Sequence, residues 1–145
     1  MARSMVLGRA ASCLALLACL AAEPVCASGM VVVVHADSAI GALSREQVAR
    51  IFLGRLKRLP NGAPVTAVEV EPLRARFYPR LIGRDVAEVN AYWARLQFSG
   101  RTQPPQRLAS SSDALAAVLA DRNLVAHLEA DPGDPRVRVL LRLED

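Results

Sequence analysis

Cysteine and aromatic residues are scarce in this chain, and each shortage excludes a class of function. The sequence has one tryptophan, two tyrosines and three phenylalanines. So few rings argue against nucleic acid as a partner, above all against single strands, whose bases stack on aromatic side chains. The three cysteines are Cys13, Cys19 and Cys26, all close to the amino terminus. A protein that loses this segment has neither a disulfide bond nor a thiol catalyst.

Motifs that carry catalysis are also missing. The sequence has no glycine-rich phosphate loop, no cluster of histidine and cysteine, and no Gly-x-Ser-x-Gly elbow. His35 and Asp37 form a pair of potential metal ligands, but no third ligand is nearby, so a turn is the favoured interpretation. We therefore predict a non-enzymatic protein without a cofactor.

The first 27 residues have the pattern of an export signal. Arg3 and Arg9 give a positive start, residues 10–22 form an apolar run, and Val25-Cys26-Ala27 is a small-residue cleavage pattern. The apolar run is too short to span a membrane. The alternative is a lipoprotein attached through Cys19, which ends the short motif Leu16-Leu17-Ala18-Cys19. Residues 1–27 are thus predicted to be a signal peptide, and residues 28–145 a periplasmic domain.

Size and charge narrow the remaining choices. The 118 residues after position 27 suffice for one domain with a core, but not for two. Their 16 basic and 13 acidic residues give a net charge of +3. The stretch from Arg55 to Arg84 alone has seven basic residues and two acidic residues, a local net charge of +5. Such a stretch can attract anions or anionic lipid headgroups, or it can simply be the solvated face of helices.

The segment Ser44 to Arg55 predicts a short amphipathic helix. Ser44 and Gln47 have the spacing of a capping box, in which each side chain bonds the other residue's backbone N–H. One face of the helix is apolar, and Gly54 is placed to end it. The inward residues are Val48, Ile51 and Phe52.

Further elements follow from periodicity and turn residues. Strands are predicted at residues 30–34, 64–70, 123–129 and 137–143. Helices are predicted from Pro72, with a kink or early end at Pro79 and a break at Gly83, from a cap at Asp85 to about Gln97, and from Ser112 or Asp113 to about Asp121. Residues 101–111 are predicted to be a polar loop. Trp93 is interpreted as a core residue, and His127 as a structural histidine.

The run VVVVHADSAIGALSREQVARIFLGRLKRLPNG, from Val31 to Gly62, resembles a segment of the substrate-binding proteins of phosphate ABC transporters. In that family a valine-rich strand is followed by a polar crossover and by a helix ending in Ile-Phe-(Leu/Ser)-Gly-(Arg/Lys). The resemblance continues through AYWARLQFSG to the end of the chain. It implies an α/β fold, namely a single lobe of a type II periplasmic-binding-protein-like fold with a central mixed sheet flanked by helices.

The resemblance also implies where an anion would bind. In the family, backbone N–H groups and hydroxyls of a glycine-rich turn at a helix start hold phosphate, with an arginine nearby. The corresponding segment is Val70 to Arg74, where Pro72 has no N–H and Glu71 brings a negative charge. The candidate ligand-binding residues are therefore Arg74 and Arg76 at this turn, and Asp37 and Ser38 at the end of the first strand.

Two functions follow as expectations. The first is an exported solute-binding-like protein that binds a small anion such as phosphate, or assists a transport or sensing system. The second is an envelope interaction module that has lost its small ligand and docks onto a membrane transporter, a sensor protein or anionic lipid through the basic surface of residues 55–84. A surface that faces the second lobe in larger relatives would also favour self-association.

Overall fold

The computed structural model describes residues 29–100 and 102–144, so the predicted signal peptide and Cys19 lie outside the described residues. The strands are β1 Met30–His35, β2 Thr66–Val70, β3 Gln106–Leu108, β4 Leu124–Leu128 and β5 Val137–Leu143. The helices are α1 Arg45–Phe52, α2 Arg74–Ile82, α3 Val86–Phe98 and α4 Ser111–Ala120, and a 3₁₀ turn at Glu71–Leu73 precedes α2. The fold class is α/β, as predicted.

One mixed sheet of five strands, in the order β3-β2-β4-β1-β5, organises the chain. β2 runs parallel to β3 and β4, whereas β1 is antiparallel to both β4 and β5. The carboxyl ends of β2, β3 and β4 therefore share one edge of the sheet, and β1 ends at the opposite edge. We call the first of these the carboxyl edge.

Helices cover both faces of the sheet. On one face, His127 of β4 packs against Phe77 of α2 and Phe52 of α1. Its neighbour Leu128 points the other way and lies beside Leu115 of α4. The valines of β1 are inaccessible to solvent on both faces, which explains why this strand is apolar without alternation.

Local signals in the sequence were read correctly at three helix starts or ends. Ser44 accepts from Gln47 N (3.2 Å), and Gln47 Oε1 accepts from Ser44 N (2.9 Å), so the capping box is complete. Asp85 caps α3 by accepting from Glu88 N (2.9 Å). Gly83 ends α2 in the left-handed conformation at φ 68°. The positions of β4 and β5 were also predicted.

Three predictions need correction. Residues 106–108 are a strand rather than a loop, because their backbone pairs in parallel with β2, although two of the three side chains are polar. α4 is capped by Ser110, which accepts from Asp113 N (3.1 Å), two residues before the predicted cap. Of the two expectations at Pro79, the early end is wrong, because this residue lies inside α2 and the helix continues to Ile82.

Candidate functional site

The four predicted ligand-binding residues do not converge. Asp37 and Ser38 follow β1 and lie at the edge opposite the carboxyl edge. There Ser38 Oγ donates to the carbonyl of Arg122 (2.5 Å), and the Asp37 carboxylate lies 3.7 Å from the Arg122 guanidinium. Arg74 and Arg76 lie at the carboxyl edge. The antiparallel direction of β1 separates the two pairs.

The tetrapeptide after β1 forms a hydrogen-bonded turn. Asp37 N donates to His35 Nδ1 (3.0 Å), and Ser38 N donates to the carbonyl of His35 (3.0 Å). Within residues 29–100 and 102–144, no group of three histidine, cysteine, aspartate or glutamate side chains could hold a metal ion. The turn interpretation of His35 and Asp37 thus agrees with the bonds that these residues make.

Arg74 is buried and bonded to a carboxylate from the preceding strand. Its side chain is 3% exposed, and its Nε lies 2.6 Å from Glu69 Oε2, an atom of a side chain that is 1% exposed. Nη2 of Arg74 donates to Asn90 Oδ1 of α3 (2.8 Å). The guanidinium that was predicted to hold an external anion therefore holds Glu69 instead.

Other donors also point at the Glu69 carboxylate. The Tyr78 hydroxyl donates to Glu69 Oε1, which gives the second carboxylate oxygen a partner. Arg107 of β3 adds positive charge, with its Nε 3.8 Å from Glu69 Oε2 and 3.3 Å from Glu71 Oε2. An arginine pair and a hydroxyl around one carboxylate is the donor set that a bound anion would need. We call Glu69, Arg74, Tyr78 and Arg107 the Glu69 cluster.

Burial shifts the protonation equilibria of this region. Desolvation raises the pKa of the Glu69 carboxyl, against the hydrogen bond from Tyr78 and the charge of Arg74. Desolvation and the adjacent Glu69 charge raise the pKa of Tyr78. Desolvation, followed by the charge of Arg74, lowers the pKa of His127 to about 3. His127 is therefore neutral at neutral pH.

The hydrogen bonds fix the tautomer of His127. Its Nε2 accepts from Val70 N (3.1 Å), so the single proton of the neutral ring is on Nδ1. This Nδ1 is buried and has no hydrogen-bond partner within the described part of the chain. The ring stacks on Phe77, with centroids 4.0 Å apart. These contacts support the structural role predicted for His127.

Arg76 is exposed and also paired. Its Nη1 lies 3.0 Å from Glu129 Oε1 at the end of β4, and both side chains are at least half exposed. Water screens such a pair, so Arg76 can exchange Glu129 for another anion more readily than Arg74 can leave Glu69. At the carboxyl edge, Arg74, Arg76 and Arg107 each have a carboxylate within 4.0 Å.

A different group of arginines surrounds a surface cleft between the helices. The cleft has a volume of about 270 Å³. Its lining residues are Leu53, Arg55, Ile82, Arg84, Glu88, Val89, Tyr92 and Arg95. Three arginines and one glutamate thus line the same cleft. We call this the arginine cleft.

Two contacts hold Arg55 in the arginine cleft. Its Nε donates to the Tyr92 hydroxyl (3.4 Å), which in turn donates to the carbonyl of Leu53 (2.7 Å). Its guanidinium carbon also lies 5.4 Å from the centre of the Tyr92 ring, a cation–π distance. Arg84 has only a loose contact with Glu88, at 3.9 Å. Among the described residues, neither Arg55 nor Arg95 has a carboxylate within 4.0 Å.

An apolar side chain projects into solvent at the carboxyl end of α3. Phe98, the last residue of α3, is 97% exposed, and no other large hydrophobic residue of the described ranges is classed as exposed. It follows Arg95 by three positions, so the two side chains share a face of α3. The same helix buries Trp93, which confirms the core interpretation of that residue.

The fold resembles that of solved proteins. A phosphate ABC transporter substrate-binding protein from Clostridium perfringens, solved with bound phosphate, gives a TM-score of 0.61 at 18% identity, over 77% of this chain and 44% of that chain. An ABC-type phosphate transport receptor from Vibrio cholerae gives a TM-score of 0.47 at 16% identity, over 77% and 45%. No protein-family model and no curated protein sequence matches the chain.

The fold is similar to one lobe of a periplasmic binding protein. The chain spans less than half the length of either matched structure. Along residues 29–100 and 102–144, no helix is both long and apolar enough to cross a bilayer. The single-lobe architecture expected from the sequence is thus present, while the ligand of this lobe is a separate question.

Sequence reasoning missed the central residue of the Glu69 cluster. Glu69 was assigned to a strand without a role, although a lone carboxylate among β-branched residues needs a cationic partner if the strand is buried. The partners could not be identified in this way, because Arg74 is five residues away across a change of element and Arg107 comes from another strand.

Proposed function

We propose that this chain is a non-enzymatic binding module of an exported, solute-binding-like protein, and that it docks onto a membrane rather than capturing a free solute. In this proposal residues 1–27 direct export and residues 28–145 form a periplasmic domain that assists a transport or sensing system. Its fold supports a relationship to solute-binding proteins, and the Glu69 cluster supports the loss of solute capture.

The observation that carries the proposal is the position of the Glu69 carboxylate. It lies against Arg74 and Tyr78 at the carboxyl edge, where ligands gather in open α/β sheets. A phosphate entering this position would have to displace a buried, covalently attached carboxylate. It would also meet the charge of Glu71, 3.9 Å from Arg74. Solute capture at this turn is therefore disfavoured on electrostatic grounds.

The basic surface supports docking as the alternative to capture. Arg55, Arg84 and Arg95 line one cleft, and the exposed Phe98 follows Arg95 by three positions on α3. Cations without strong internal partners beside an exposed apolar side chain are typical of an interaction surface. An acidic membrane protein or an anionic lipid surface would complement it.

A membrane-sedimentation assay tests the docking role. The processed protein is mixed with native membranes of the expressing bacterium and sedimented, with Arg95→Glu as the test variant. Arg142→Glu is the matched control, because it changes the charge equally on β5, the edge strand farthest from β3. We expect Arg95→Glu to release the protein and Arg142→Glu to leave it bound. Equal binding by all three proteins would contradict docking through this surface.

Calorimetric titration with phosphate and then sulfate, at low ionic strength, tests the loss of solute capture. We expect no saturable heat with either anion. Saturable phosphate binding that Arg76→Ala weakens would instead support an anion site at the carboxyl edge. Arg76 is preferred to Arg74 as the probe because it is exposed, so its loss does not disturb the core.

Small-anion binding remains the second candidate, and the arginine cleft favours it. Three arginines and one glutamate lining about 270 Å³ can accommodate an anion of phosphate size. Phosphate binding that Arg84→Ala weakens, and that Arg76→Ala leaves unchanged, would identify this cleft as the site. Asp37 and Ser38 would belong to neither site, since they lie at the edge opposite the Glu69 cluster and do not line the arginine cleft.

A further inference from the structure

We propose that the docking partner is an anionic lipid surface, on which Phe98 enters the headgroup region while Arg95 and the arginine cleft contact lipid phosphates. The inference rests on the docking role proposed above and names its partner. It is carried by one nearly fully exposed aromatic ring that shares a face of α3 with Arg95, an arginine that lines the cleft together with Arg55 and Arg84.

The exposure of Phe98 is the first step of the argument. Phe98 is 97% exposed, so folding removes almost none of its apolar surface from water. Its side chain therefore contributes almost no hydrophobic stabilisation to the fold. The preceding turn of α3 has a buried Trp93 and a half-buried Leu96, which shows that the helix turns its apolar stripe inward up to this point. Phe98 extends from the end of the helix as a separate apolar contact.

The charges around Phe98 are the second step. Arg95 shares a face of α3 with Phe98. Arg95 also lines the arginine cleft, together with Arg55 and Arg84. Among these, Arg55 is already oriented by Tyr92, so part of its ordering entropy is lost before binding. A lipid phosphate accepts bidentate hydrogen bonds from a guanidinium, and several phosphates at one surface can serve several arginines together.

The combination distinguishes a lipid surface from a free anion. A free phosphate needs only the arginine cleft and gains nothing from Phe98. An anionic bilayer uses both, because an aromatic ring is favourable in the interfacial region while the cations remain at the level of the phosphates. One aromatic anchor with a few arginines gives weak, reversible and salt-sensitive attachment, not permanent anchoring.

The test uses protein-free vesicles, so that no membrane protein can contribute. The processed protein is recovered from the extracytoplasmic fraction, and mass spectrometry determines its amino terminus. Vesicles of phosphatidylcholine alone, or with phosphatidylglycerol, are sedimented with the wild type and three variants. The variants are Phe98→Ser, Arg95→Glu and the far-edge control Arg142→Glu. All carry the same amino terminus, so any lipid contribution from it cancels in the comparison.

We expect binding only to the vesicles that contain phosphatidylglycerol. Phe98→Ser should weaken it about tenfold, as expected for losing one partly buried aromatic ring. Arg95→Glu should weaken it by at least about fivefold, the effect expected for one cation near an anionic surface. Arg142→Glu should retain wild-type binding within about twofold. An unchanged melting temperature of Phe98→Ser verifies that the exposed substitution leaves the fold intact.

Four results would overturn the lipid proposal. If Arg95→Glu and Arg142→Glu lost vesicle binding equally, the binding would depend on the net charge of the protein and not on this surface. Release by inorganic phosphate, but not by chloride of equal ionic strength, would assign the cleft to free phosphate. Absence of vesicle binding, with native membranes still bound, would indicate a protein partner and leave the docking role in place. Loss of native-membrane binding as well would end both proposals.

Discussion

The Glu69 carboxylate and the Arg74 guanidinium lie 2.6 Å apart at the end of β2, and both side chains are almost inaccessible to solvent. The pair connects the sheet to the first turn of α2 and, through Asn90, to α3. A charge pair at this depth is held by its geometry and its extra hydrogen bonds, because each ion has lost its hydration. The edge of the sheet where a ligand would gather is thereby filled by a side chain of the protein itself.

Removing either member of the pair should destabilise the protein strongly. We expect Glu69→Leu and Arg74→Met each to lower the free energy of unfolding by about 3–5 kcal/mol, because the remaining ion is buried without its partner. The double variant should lose less than the sum of the two single variants. Urea denaturation of the four proteins measures this double-mutant cycle.

The exposed pair Arg76 and Glu129 provides the matched control. Its 3.0 Å separation resembles that of the buried pair, but solvent screens it. Arg76→Ala should therefore change the free energy of unfolding by less than about 1 kcal/mol. A loss as large as that of Arg74→Met would show that distance, rather than burial, sets the effect.

An external carboxylate should replace Glu69. Glu69→Ala leaves Arg74 and the Tyr78 hydroxyl facing an empty space, and formate supplies a carboxylate of suitable size. We expect formate to raise the melting temperature of Glu69→Ala above its value in chloride of equal ionic strength. Glu69→Gln fills the space and should respond to the two salts alike. A formate response in Glu69→Gln would indicate binding elsewhere.

Protonation of His127 should destabilise the fold in acid. Its pKa is about 3 when folded and 6.5 for a free histidine, so as the pH falls the unfolded chain takes up the proton first. The stability that depends on neutral His127 is thus present above about pH 6.5 and is lost progressively toward pH 3, on the order of 3 kcal/mol by pH 4.

The comparison for this effect is His127→Gln, whose amide oxygen can still accept from Val70 N and does not titrate. We expect unfolding free energies measured between pH 7 and pH 4 to fall less steeply for the variant than for the wild type. Parallel curves would mean that other groups, such as the carboxylates, account for the acid sensitivity.

Gly54 and Gly83 should respond differently to the same substitution. Both have a positive φ, 69° and 68°, so alanine is strained at each by about 1–2 kcal/mol. A Cβ at Gly83 meets open space, whereas one at Gly54 would lie 2.8 Å from Cη2 of the buried Trp93. Overpacking should add about 1–3 kcal/mol at Gly54. Equal thermal stabilities for the two alanine variants would contradict this contact.

How far the sequence could be interpreted depended on how local each determinant was. The helix at Ser44, its apolar face and the glycine after it were all readable, because a capping box and a helical stripe involve residues within a few positions. The edge strand at residues 106–108 could not be predicted in this way. Two of its three residues are polar, and the strand forms only because its backbone pairs with β2. The cap of α4 was misplaced for a simpler reason: three consecutive serines offer the same hydroxyl, and the backbone selects Ser110.

The sequence by itself determined the four helices and four of the five strands of this protein, through periodicity, caps and turns that act over short distances, and the family resemblance indicated the α/β class. Only the tertiary structure decided which chemical groups meet. The antiparallel direction of β1 places Asp37 and Ser38 far from Arg74, and the packing of α2 on β2 brings Arg74 to Glu69. Strand direction and long-range ion pairing are set by contacts between distant segments, and no local pattern specifies them.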